Sequence, residues 1–202
     1  MKISPRVLEG EIVRLEPLLT SHVEDLARVG LDPSLWQFQP RTVRSVSEMR
    51  EYVELALADQ RRDRSFPFAI VDRARGVVIG STRFMDIAPE HRRLEIGATW
   101  LNPAYHRSGA NVEAKLLMLG YAFDIAGAQK VVFKTEALNA QSRRAILALG
   151  AVQEGVLRRH LISQEGRRRD MAYFSILDDE WPAVRKLNEA RLGRGEDRKS
   201  VV

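Results

Sequence analysis

The chain has 202 residues, 45% hydrophobic and 29% charged, with a formal net charge of +5. That balance fits one globular domain with a sizeable core, and no apolar run approaches the length of a membrane span. The absence of cysteine excludes disulfides, thiolate nucleophiles and cysteine-ligated zinc, and MKISPRVLEGE at the start lacks a signal peptide's apolar centre, so a cytoplasmic protein is expected.

Residues Glu11 to Leu18 alternate roughly and read as a first strand stopped by Pro17. Thr20 or Ser21 then caps a short helix with Val23, Leu26 and Ala27 on one face. Leu31 to Pro40 is a loop whose Trp36 and Phe38 read equally as lids on a cleft or plugs over the core. Ser47 is expected to cap a helix to about Asp63, with Met49, Val53, Ala56 and Leu57 inward. Pro67–Asp72, Val77–Ile87 and Arg92–Asn102 read as an antiparallel meander, with Gly97 marking a bulge or close approach in the third strand. A helix follows with the stripe Val112, Leu116, Leu119, Phe123 and ends at Gly127. Lys130 to Leu138 is the next strand, and a strand-helix-strand unit with short connections implies a parallel pair. Asn139 caps a helix that ends near Gly150 with Ala145, Ile146 and Leu149 inward. A hairpin of Ala151–Ile162 and Arg169–Leu177 around Gln164–Gly166 comes next, then a helix capped by Asp178 or Asp179. Residues 1–192 thus form a single domain and 193–202 a frayed polar tail.

The stretch with most chemical content is the turn between the third strand and its helix, Arg107, Ser108, Gly109, Ala110 and Asn111. A small-residue turn that opens a helix presents free N–H groups at the positive end of the helix dipole, an anion site suited to phosphate. Arg92, Arg93, His106 and Arg107 add cationic neighbours. The alternative is a tight turn with no ligand.

WLNPAYHRSGANVEAK resembles the GNAT acyltransferase family in its RimJ/RimL-like branch. The central Gly109 matches the family's loop, whereas His106 and Asn111 depart from it. NAQSRRAILALGAVQEGVLR is similar to the family's Asn-x-x-Ser helix, through Asn139 and Ser142, Leu149-Gly150 and Glu154-Gly155, and SILDDEW resembles the branch's closing segment. The likeness spans roughly residues 10 to 190. It implies an α/β (α+β) fold with a mixed, mostly antiparallel sheet of about seven strands flanked by helices. It also implies acetyl-CoA as cosubstrate and an amine acceptor, and leaves a homodimer open. By the same resemblance, the Ala98–Leu101 segment with Trp100 and Leu101 would hold the pantetheine arm through its backbone. His106, Arg107, Ser108, Gly109, Ala110, Asn111 and Val112 would hold the pyrophosphate, and Asn139, Ser142 and Arg143 would line the other side.

The chemistry is attack of a neutral amine on a thioester, which needs a base and a proton donor for the leaving thiolate. Glu95, flanked by Leu94 and Ile96 and so facing away from them, is the first base candidate, against a salt bridge to Arg92, Arg93 or Arg83. His160 is the second, against a solvated strand face. Where the wider family carries a donor Tyr this chain has Ile146, which leaves Ser142 as the donor the resemblance implies; where RimL-type members place a Glu this chain has Leu161. An α-amine, with pKa near 7.7–8.0, is about a tenth neutral at pH 7, whereas a lysine amine is neutral in fewer than about one molecule in a thousand. A site without a strong base therefore suits an α-amine or another weakly basic amine.

The cationic excess suits an acidic partner of some kind. The arginine clusters are scattered and lack interleaved aromatics, which argues against nucleic acid. A non-catalytic acyl-CoA- or nucleic-acid-binding regulator on the same fold is the second reading. His22, His91, His106 and His160 show no ligand-like spacing, and no Gly-x-Ser-x-Gly turn is present.

Overall fold

The computed structural model describes residues 1–163 and 166–197. In chain order it forms β1 (Leu8–Glu9), β2 (Val13–Pro17), α1 (Val23–Gly30), α2 (Val46–Gln60), β3 (Ser65–Asp72), β4 (Val77–Ala88) and β5 (Arg93–Leu101). There follow α3 (Ala110–Gly120, continued by a wider π turn to Ile125), β6 (Lys130–Glu136), α4 (Ala140–Leu149), β7 (Val152–Ile162), β8 (Arg168–Leu177) and α5 (Trp181–Asp197). The strands make one sheet in the order β1-β2-β3-β4-β5-β6-β8-β7. It has eight strands, the two-residue β1 adding two rungs to the edge of β2.

Every neighbouring pair is antiparallel except β5 and β6. These run parallel for three rungs, Arg93↔Lys130, Leu94↔Val131 and Glu95↔Val132, and then part. Two apolar layers cover opposite faces. On one, α3 packs on Phe68, Phe84, Leu94, Ile96 and Phe133. On the other, α1 and α2 cover Ala69, Val71, Val78 and Trp100.

Local chemistry moved several boundaries. The cap of α2 is Ser45, whose hydroxyl accepts from Glu48 N–H, and not Ser47; the helix stops at Gln60. Neither Thr20 nor Ser21 caps α1: they lie in a 3-10 turn, Thr20–His22, that runs straight into it. Neither Asp178 nor Asp179 borders α5, which starts at Trp181; Glu180 precedes it and its carboxylate turns back to Leu177 N–H. The helix continues to Asp197, so the expected fraying from Gly193 gives way to regular structure; 198–202 lie outside the described residues. Gln164 of the expected hairpin turn also lies outside them, while Gly166 has φ +79 and donates to Ser163 O. The buried stripe of α3 is Ala110, Ala114, Met118 and Leu119, turned from the expected Val112 and Leu116, which are half-buried. The stripe is small at the N-terminal end of the helix, Ala110 and Ala114, and bulky toward its C-terminal end, Met118 and Leu119. On α4, Leu149 is buried but Ala145 is exposed.

Candidate active site

The end of β5–β6 pairing creates the site. Beyond Glu95, the β5 edge has no strand beside it on the β6 side among the described residues. The same strand carries a bulge: Trp100 faces Ser81 and Gly97 faces Arg83, so Thr82 alone opposes both Ala98 and Thr99. Ala98 adopts φ +47 there. The extra residue reverses the alternation, placing Thr99 on the α3 face and Trp100 on the α1–α2 face. The sequence located this irregularity at Gly97, one residue before its left-handed position.

Two helix N-termini flank the opening, since α3 follows β5 and α4 follows β6. Gly109 is the α3 N-cap at φ +90. A methyl group on it would lie 2.8 Å from Ile12 Cδ1 and 3.3 Å from Leu192 Cδ2, so only glycine fits without displacement. Ser108 Oγ donates to Tyr105 O and accepts from Ala110 N–H at 3.3 Å. Among the described residues, the N–H groups of Gly109, Asn111 and Val112 have no hydrogen-bond acceptor. His106 and Arg107 are exposed beside them. These are the donors a pyrophosphate needs. Behind the loop, Glu113 accepts three backbone N–H bonds, from Glu11, Ile12 and Val13, and so fixes the first turn of α3 to the β1–β2 turn.

On α4, Asn139 Oδ1 accepts from Ser142 N–H at 3.0 Å. Arg143 is engaged locally, with its guanidinium on Ala137 O and Gln153. Leu101 is buried in the main core, so it can face a ligand only through its backbone. Trp100 is buried against Trp36, with ring centroids 5.5 Å apart.

Glu95 lies where its spacing places it, on the face opposite Leu94 and Ile96, but its partner is Lys134 of β6 and none of the arginines. Nζ of Lys134 is 2.6 Å from Glu95 Oε2 as an ion pair, while its aligned hydrogen bond, 2.8 Å, goes to Asp86. Burial pushes the Glu95 carboxyl above the ordinary range, and Lys134 offsets part of that. Burial works against the charge on Lys134, yet Asp86 and Glu95 together keep it protonated well above a normal lysine.

Lys115 of α3 reaches the bulge from the other face. Its Nζ donates to Thr99 Oγ1 at 2.5 Å and Thr82 Oγ1 at 3.3 Å. Burial brings its pKa down to about 7, with Glu95 acting in the opposite sense. Lys134, Asp86 and Lys115 were not singled out from sequence. Lys115, a charge set just before the apolar run Leu116–Leu119, was the one available sign.

The loop after α1 roofs the opening. Trp36 is a plug, 2% exposed, with Nε1 bonded to Gly30 O. Phe38 is half-buried, and its carbonyl accepts from Arg169, whose Nε donates to buried Glu136 at 2.7 Å. Arg167 and Arg169 hold the Glu136 carboxyl below the usual range. Gln39 donates to Thr99 O at 3.3 Å. The loop is thus tied to both sides of the gap. His160 stands apart from Glu95, exposed on the outer strand β7 with Nε2 2.8 Å from Tyr173 OH.

A sheet opened between two parallel strands, with helix N-termini on either side, defines an acyltransferase of the GNAT type. The sequence pattern of the acetyltransferase (GNAT) domain matches residues 13–152, and the chain belongs to that family. It is similar to the uncharacterised N-acetyltransferase YoaA of Bacillus subtilis (strain 168), 28% identical over 133 residues covering 66% of this chain and 74% of YoaA. It also resembles the crystal structure of a candidate acetyltransferase from T. thermophilus, with TM-score 0.87 and 37% identity over 95% of this chain and 100% of that one. A GCN5-related N-acetyltransferase from Brucella melitensis gives TM-score 0.87 and 32% identity over 94% and 86% of the two chains. Among the described residues, no helix is long and apolar enough to cross a membrane.

Proposed function

We propose that this acetyltransferase uses acetyl-CoA as donor and a primary amine as acceptor, either the α-amine of a protein or peptide or that of a small molecule. The observation that carries the reading is the parting of β5 and β6 after Glu95↔Val132. An extended pantetheine arm has amides that can bond to the open β5 edge at Ala98–Leu101. The free N–H groups of Gly109, Asn111 and Val112 suit the pyrophosphate, with His106, Arg107, Ser108 and Ala110 around it. Asn139 and Ser142 line the opposite wall. When bound, acetyl-CoA supplies an activated acetyl group, whose carbonyl carbon bonds to the amine nitrogen as its bond to sulfur breaks.

Glu95 takes the proton that the amine loses, and its raised pKa brings its basicity closer to that of an amine. Lys134 keeps it oriented at the apex of the gap. The Ser142 hydroxyl makes no hydrogen bond to the described residues, so it is available to give the departing thiolate a proton. His160, committed to Tyr173 two strands beyond β5, contributes less. The motifs Asn139-x-x-Ser142 and SILDDEW support placement in the RimJ/RimL-like branch.

Thiol release from acetyl-CoA against a panel of amines tests the reading. Turnover of α-amines well above lysine side chains is expected, with kcat lower by roughly 10² or more in Glu95→Gln. Tight acetyl-CoA binding without turnover of any amine, unaffected by that substitution, would favour a regulator instead.

A further inference from the structure

The acceptor face carries an arginine that the acyl-transfer chemistry above leaves unused. Arg83 of β4 sits opposite Gly97, two residues along the face from Met85, which sits opposite Glu95. Its guanidinium lies over the Tyr52 ring of α2, 5.0 Å from the centroid. Among the described residues it forms no ion pair and no hydrogen bond, and its buried Nε has no acceptor. The other arginines around the gap differ: Arg167 and Arg169 both pair with Glu136. Glu95, diagonal to Arg83 on the neighbouring strand, is held by Lys134, which it shares with Asp86.

Two more buried polar groups in the same patch lack partners. Tyr52 OH and Trp100 Nε1 are both without a hydrogen bond, and Trp100 is 4% exposed. Tyr52 and Trp100 flank Trp36 on ring-centroid distances of 5.5 Å each, so the patch is continuous from Arg83 to the bulge. Buried donors in folded proteins almost always meet an acceptor, whether protein, water or ligand. A guanidinium with two neutral donors beside it is the chemistry that receives a carboxylate.

Resting on the acetyl-transfer reading, we propose that the acceptor carries a carboxylate close to its amine, which Arg83 binds with help from Tyr52 while Glu95 receives the ammonium end. Glu95 and Arg83 are diagonal neighbours on adjacent strands, about 7–8 Å apart at the backbone. Side chains of their length converge from that separation on the two ends of one amino acid, or on the amine and acidic side chain of a peptide's first residue. The amine then meets Glu95 at the apex of the gap. Arg83 is a specificity residue in this arrangement and takes no part in proton transfer.

The test compares acid with amide. Acetyl-CoA is supplied with free amino acids and their carboxamides, and with peptides beginning in Asp or in Asn. The wild-type protein is expected to favour the carboxylate partner of a pair by about tenfold or more in kcat/KM, mostly through KM. The pair that shows the preference identifies the source, free amino acid or peptide. Arg83→Met is expected to bring the ratio to about one while leaving the KM for acetyl-CoA within about twofold. Arg83→Lys should keep part of the preference and Tyr52→Phe should weaken it, which covers the case of an Arg83→Met protein that does not fold. Equal use of acid and amide by the wild-type protein, or a preference that survives in Arg83→Met, overturns this proposal alone. Absence of acetylation of any amine overturns it together with the reading on which it rests.

Discussion

Lys134 holds Glu95 at 2.6 Å just where β5 and β6 separate, so the charge pair closes the apex of the opening in the sheet. Lys134 lies just past the last rung of the parallel seam between β5 and β6. The pair thereby joins the base candidate to the geometry that makes room for a cofactor. It also sets the electrostatics of that base: burial raises its pKa, and the cation limits the rise.

The pH profile of the reaction follows from this. Glu95 acts as a base only when ionised, so the rate climbs as pH rises through its pKa. The acidic limb of kcat/KM is expected above the ordinary carboxylate range, because Glu95 is shifted upward. Glu95→Gln should remove that limb and lower kcat by roughly 10² or more. Lys134→Met should move the limb further toward neutrality, since the chief cation opposing burial is then gone and only the weaker pull of Arg93 remains. A profile unchanged in both variants would count against Glu95 as the base.

Lys115 gives a stability signature. Its pKa is about 7 in the folded chain against 10.5 for an ordinary lysine. Between those values the unfolded chain holds more protons, so stability rises with pH across about 7 to 10.5 and is flat below. The slope from this one group reaches at most about 1.4 kcal/mol per pH unit. Denaturant titrations of wild type and Lys115→Met over that range should differ by this slope. Parallel curves would show that the amine is not buried in solution.

Gly109 should be intolerant of a side chain. Gly109→Ala is expected to cost about 1–2 kcal/mol in left-handed strain alone, with the 2.8 Å approach to Ile12 in addition. The loop must shift to relieve that contact. KM for acetyl-CoA should therefore rise by roughly tenfold, the size expected on disturbing one or two backbone donors, while acceptor KM holds. A calorimetric titration with coenzyme A reads this directly.

Asn139 and Ser142 can be separated. Asn139→Ala removes the α4 cap and should lower stability by about 1 kcal/mol. Ser142→Ala keeps that cap, because the bond uses the Ser142 backbone N–H. It should leave the melting temperature nearly unchanged and lower kcat by roughly 10² if its hydroxyl protonates the thiolate. Equal kcat in wild type and Ser142→Ala would remove it from the proton path.

Much of this architecture is legible from residue patterns. Alternation places Glu95 opposite Leu94 and Ile96, the parallel β5–α3–β6 unit follows from its short connections, and Asn139 is readable as a cap. Those features depend on neighbours in sequence. The choice of Ser45 over Ser47 turns on which serine adopts extended φ and ψ, which the residue type does not decide. The rotation of the α3 stripe depends on a packing distance to the sheet. Lys134, Asp86 and Arg83 acquire meaning only from register, because a partner two strands away leaves no trace in local spacing. Trp36 and Phe38 share a loop, yet one is core and the other hangs on Arg169, a contact across 131 positions.

The three rungs between β5 and β6 also bear on the mechanics of the molecule. Among the described residues, these rungs and the Gln129 N–H bond to Arg92 O just before them carry the backbone stitching between the β1–β5 half of the sheet and the β6–β8–β7 half. A pantetheine arm laid along the open β5 edge would lengthen that seam and act as a temporary girder. Ligand loading should then slow amide hydrogen exchange in β8, a strand one removed from the opening, and the chain would stiffen most when it is ready to react.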